Sequence, residues 1–139
     1  MLAWLTKRSS SGNTFCQRQA CLEAQALKGQ MALRDNDLAV ASQLLQGVHK
    51  EASWWFEQDE PSPRLIAMFT GSASLYASAL WRRGHYVKSF EVIEGCRYKL
   101  ASACNSASVA LCRKRFYHHC IDALNQTLEE CSCSGKQAS

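Results

Sequence analysis

The sequence predicts an all-α chain of about five helices folded as antiparallel hairpins. Three observations carry this expectation. Apolar residues recur three and four apart through most of the 139 residues, which is the spacing of one helix face. No segment alternates with the period of two that a half-buried strand requires. The interruptions are short and hold corner chemistry: Asn36, Ser62-Pro63, Gly84 and Asn105-Ser106. With 47% apolar and 20% charged residues, a chain of this length has material for one core and one domain.

The run Ser9-Ser10-Ser11-Gly12-Asn13 makes residues 1–13 a flexible leader. Thr14, with Gln17 three residues on, is the capping-box pattern that starts a helix near Phe15. Cys16, Ala20, Leu22, Ala24, Leu27, Met31 and Ala32 give that helix a broad apolar face. Arg34 to Asp37 breaks the pattern, and a second helix follows through Leu38, Ala41, Leu45, Val48, Ala52 and Trp55. So short a turn forces the two helices antiparallel. Both prolines lie in Gln58 to Pro63. Ser62 caps a third helix whose first turn holds Pro63, because proline lacks an N–H that this turn leaves unpaired anyway. The third helix runs through Leu65, Met68, Phe69, Ala73, Tyr76 and Leu80 to Gly84, the residue that takes a left-handed terminating conformation without steric cost. The fourth carries Tyr86, Phe90, Ile93, Cys96 and Leu100, and the fifth Val109, Cys112, Phe116, Cys120, Ala123, Thr127 and Cys131. One domain is expected over residues 14–131, with 132–139 a disordered tail.

A repeat runs through the hairpins. Seven residues before the corners Asn36 and Gly84 stand Gly29 and Ala77, and five after them Ala41 and Ser89. All four are small, as two helices joined by a tight turn require where they cross. Leu45 and Ile93, then Val48 and Cys96, continue the register, and Leu38 and Tyr86 stand just past the corners. In these residues the chain resembles the tetratricopeptide repeat over about Gln25 to Leu100, with the fifth helix as a C-terminal cap. The copies are 48 residues apart, longer than that family's period. Gln25 and Ala73 stand where the family has Trp, and the family's Pro after the second helix is missing. The resemblance implies a right-handed array and a concave surface, lined by the first helix of each pair, that grips a peptide or helix of a protein partner. Gln25, Lys28, Arg82 and Arg83 lie off the core stripes of those helices and would suit an acidic or C-terminal segment. Three consecutive aromatics, Trp54-Trp55-Phe56, point in three directions, so at least one meets the proline loop or a partner; Trp54 joins the partner-binding set.

Eight cysteines admit two readings. Cys96, Cys104, Cys112 and Cys120 are spaced by eight, with the break between the last two helices between the inner pair. Folding there would set Cys104 against Cys112 and Cys96 against Cys120. This is similar to the coiled-coil-helix-coiled-coil-helix proteins of the mitochondrial intermembrane space, although the interval here is seven residues rather than their nine or three. Lys7, Arg8 and Arg18, with no acidic residue before Glu23, give the first residues a presequence-like composition that fits that compartment. Against it, each eight-residue step rotates about 80° around a helix, and free cysteine packs as a small hydrophobe. The other reading is buried, reduced thiols in the cytoplasm.

The remaining features exclude rather than assign. A net charge of +4, from 16 basic and 12 acidic residues, without a basic run gives no nucleic-acid footprint. No stretch nears the roughly 18 apolar residues of a membrane span. His118-His119-Cys120 diverge on a helix and make no metal site alone. No Cys/His family signature or phosphate loop is present. A non-enzymatic adaptor or chaperone-like scaffold, needing no cofactor and open to self-association through the fifth helix, is the expectation. A disulfide-stapled hairpin protein and a metal-binding or redox-active protein are the alternatives.

Overall fold

A computed structural model describes residues 11–138 except Asp59 and Ala107. The leader residues 1–10, with Lys7 and Arg8, lie outside it. Five helices follow in order: α1 (Ser11–Arg34), α2 (Leu38–Phe56), α3 (Pro63–Arg82), α4 (Tyr86–Cys104) and α5 (Leu111–Ala138). The chain is an all-α array of antiparallel hairpins, with no strand among the described residues. Two boundaries differ from expectation: α1 already runs from Ser11, and α5 continues past 131 to Ala138. Serine and Gly12 or Gly135 weaken a helix by about 1 kcal/mol at most, and no proline stands in either segment to break it.

The two corners are built alike. Asn36 takes φ +63° and Gly84 φ +86°, each ending its helix in a Schellman motif. The Asp37 N–H donates to the Ala32 carbonyl at 2.8 Å and the His85 N–H to that of Leu80 at 2.9 Å; one residue earlier, Asn36 bonds Leu33 and Gly84 bonds Trp81. Asp37 and His85 then serve as N-caps with nearly equal dihedrals, −87°/75° and −88°/65°. Ser62 caps α3 by accepting from the Leu65 N–H at 3.2 Å, with Pro63 in the first turn.

Close approach at the crossings follows from the small residues. A Cβ added to Gly29 would fall 2.7 Å from Leu45 Cγ, so α1 and α2 touch where no side chain intervenes. In the second hairpin Ala77 and Ser89 are buried, and the Ser89 hydroxyl donates to the Ala77 carbonyl at 2.7 Å.

α3 is the centre of the array. Ten of its twenty residues are buried, because it packs against all four other helices; α2 and α4, on either side of it, reach each other through side chains, as where the Lys99 ammonium donates to the Ser53 hydroxyl at 2.9 Å. The main core joins Ala52 and Phe56, Phe69 and Ala73, Ile93, Cys96 and Leu100, and Tyr117, Cys120 and Leu124. Leu33, Leu45 and Leu80 pack at the corner end, and Phe15, Leu22, Val48 and Leu65 at the other. No described helix is long and apolar enough to cross a membrane.

Three faces are rotated from the sequence reading. On α1 the inward stripe is Phe15, Gln19, Leu22, Gly29 and Leu33, leaving Leu27 and Met31 about half exposed, at 56% and 50%. On α4 Ser89 turns inward and Tyr86 and Phe90 outward. On α5 the buried positions are Tyr117, Cys120, Leu124, Thr127 and Cys131, with Cys112 exposed. On α1 and α4 a small residue, Gly29 or Ser89, sits where the helices cross most closely.

Candidate functional site

The first helices of the two hairpins, α1 and α3, run side by side but touch only lightly. Between them lies an open groove of about 430 Å³. Ala26, Leu27, Met68 and Leu75 make it apolar, Gly71 widens its floor, and Glu23 and Arg64 stand near its far end. The polar floor group is already satisfied: the Ser72 hydroxyl donates to the Phe69 carbonyl at 3.1 Å and lies 3.1 Å from His49 Nδ1. What the groove offers a ligand is apolar contact between one acidic and one basic side chain.

The residues expected to bind a partner do not gather there. Gln25 is half-buried and its amide meets Cys21 Sγ at 3.6 Å, while Lys28 is exposed beside the groove without lining it. Arg82 is engaged within the chain, donating to the Leu33 carbonyl at 2.9 Å and to Asn36 Oδ1 at 2.8 Å. It clasps the first corner to the end of α3. Arg83 lines a different recess, described below. Trp54 is 52% exposed and borders a third depression, with Lys50 and Glu57. The groove residues that sequence reasoning missed, Leu27, Met68, Gly71 and Leu75, lie in helical stripes that it assigned to the core or left unread.

The aromatic triplet does diverge as helix geometry demands. Phe56 enters the core, stacked on Phe69 with centroids 4.6 Å apart. Trp55 packs against Phe15 of α1, and its indole N–H donates to Glu51 at 3.2 Å. Trp54 stands edge-on over Trp55 at 4.8 Å. The proline loop is pinned instead by Arg113 of α5, which donates to the Pro61 carbonyl at 2.7 Å.

Glu51 also receives two hydrogen bonds from Arg18, at 2.9 and 2.8 Å. These bonds hold its carboxyl below the ordinary range against the opposing effect of burial. Arg18 thus ties α1 to α2, and the presequence-like segment from Phe15 onward is part of the folded array. His49 is held neutral, down to about 4, first by burial and then by the Lys99 charge.

All eight cysteines are free. The pairing expected of Cys104 and Cys112 is not the arrangement found: Cys104 Sγ faces the Lys114 carbonyl at 3.8 Å and His118 Nε2 at 3.7 Å, one turn further along, while Cys112 faces solvent. The hairpin register is offset because α5 begins only at Leu111. Cys96 and Cys120 share the core; burial, with Cys120 adding to it, pushes the Cys96 thiol up to about 12 and burial raises that of Cys120. No group of three or more His, Cys, Asp or Glu side chains converges among the described residues.

The chain matches no protein-family model, no curated protein and no solved structure.

Proposed function

We propose that this protein is a non-enzymatic, tetratricopeptide-like adaptor or chaperone-like scaffold that holds an amphipathic helix of a partner protein in the α1–α3 groove. The observation that carries the reading is the repeated corner. Two Schellman turns 48 residues apart set the two hairpins in register and leave their first helices side by side with an apolar furrow between them. A helix presenting apolar residues at i, i+3, i+4 and i+7 would lay them on Leu27, Met68 and Leu75. Basic and acidic residues at its end would meet Glu23 and Arg64.

Gly71 provides the test. A Cβ there meets nothing within 4 Å, so Gly71→Trp fills the groove without entering the core. Helical peptides selected from a displayed library against the wild-type chain are expected to lose at least tenfold in affinity on Gly71→Trp and on Leu27→Asp, with melting unchanged. Selected peptides that bind all three proteins equally would overturn the assignment.

A further inference from the structure

On another side of α3, the start of α4 and the middle of α2 enclose a recess of about 210 Å³ that shares no lining residue with the groove. We infer that this recess is a binding site for a phosphomonoester dianion, held by Arg83, His85, Lys88 and the Ser42 hydroxyl.

Its lining is cationic and polar. Arg83, His85, Lys88, Gln43 and Gln46 face it together with Ser42, and none of its lining residues is a carboxylate. Neither Arg83 nor Lys88 forms an ion pair among the described residues. These side chains gather at the start of α4, a 19-residue helix with no acidic residue in its first turn and no side-chain cap from His85. Lys88 stands in the first turn of α4, where a helix start already carries partial positive charge and unpaired amides, so its charge is unfavourable there until an anion arrives. Arg83, the C-cap of α3, reaches the recess from across the corner.

Ser42 is a second and independent sign. It is only 5% exposed, and its hydroxyl finds no hydrogen-bond partner among the described residues. A buried hydroxyl without a partner is costly; a phosphoryl oxygen in the recess would accept its proton. Two fixed cations match the charge of a phosphomonoester near neutral pH, whereas a carboxylate would leave one uncompensated. At about 30 Å³ for each water, the space takes a phosphoryl group with part of its hydration.

The test is an amide-shift titration of the isotopically labelled full chain at constant ionic strength, with inorganic phosphate, with N-acetyl-phosphoserine amide, and with chloride as control. Saturable shifts confined to Ser42, Arg83 and His85 to Lys88 are expected with both phosphates. Tighter binding of the phosphoserine compound would assign the site to a phosphorylated side chain, and equal binding to a free phosphate. Arg83→Gln combined with Lys88→Gln, both exposed positions, is expected to abolish saturation, and Ser42→Ala to weaken it several-fold. Shifts that chloride reproduces, that never saturate or that survive the double variant would overturn the inference. Gly71→Trp leaves this titration unchanged, so the groove and the recess stand or fall separately.

Discussion

Gly29 and Gly71 show how one residue type serves opposite ends in this chain. A methyl group on Gly29 meets Leu45, which is fully buried and has nowhere to move. Gly29→Ala is therefore expected to destabilise the fold by about 1–2 kcal/mol despite alanine's better helix propensity, measured by urea unfolding. Gly71→Ala, in open space, is expected to stabilise by about 0.5–1 kcal/mol. The second crossing behaves like the first: Ala77→Leu or Ser89→Leu overpacks it, at a cost of about 1–3 kcal/mol, and unchanged melting would refute the shared register. His49 makes stability depend on pH. Its folded value is lowered from 6.5 to about 4, so the unfolded chain takes up the proton first as pH falls. Its contribution is complete above about pH 6.5 and declines between about 6.5 and 4, by about 3 kcal/mol in full. Glu51, lowered below 4.5, adds a loss only in more acid solution. His49→Gln, which keeps a partner for Ser72, is expected to flatten unfolding free energy between pH 6.5 and 5; an unaltered slope would refute this role for His49.

At the level of the helix, the cysteines sort by face. Cys16, Cys21, Cys112 and Cys133 are exposed, and Cys96, Cys104, Cys120 and Cys131 are buried. Native alkylation is expected to modify four thiols rapidly and four only after denaturation; rapid reaction of Cys96 would contradict its place in the core. The same sorting explains what the sequence made legible. Helix number and corners were readable because their causes are local: Gly84 and Asn36 accept a left-handed backbone, and Ser62-Pro63 can only open a helix. Which face of each helix turns inward was less readable. Leu27 and Met31 are more apolar than Gln19 and Gly29, yet the latter are buried, because crossing distance decides the outcome and distance is set by the neighbouring helix. The groove was hidden for the same reason, and Arg82 was misjudged because its acceptors, the Leu33 carbonyl and Asn36, are 49 and 46 residues away.

For the molecule as a whole, α3 is the element on which everything else rests. Its amides are expected to exchange with solvent only through global unfolding, and protection no greater than that of α1 would refute a central role. α5 closes the array, turning Arg115, His119, Asp122, Gln126 and Glu129 outward to solvent as a terminal repeat must. The contact pattern has a kinetic consequence. Every pair of touching helices consists of neighbours or of next-but-one neighbours in chain order, so no contact between helices skips more than one intervening helix. Low contact order of this kind belongs to chains that fold in microseconds to milliseconds, and it permits assembly in the order of synthesis. The α1–α2 hairpin can close on its Gly29 crossing while the ribosome is still adding α5, and each later helix docks on a surface already formed.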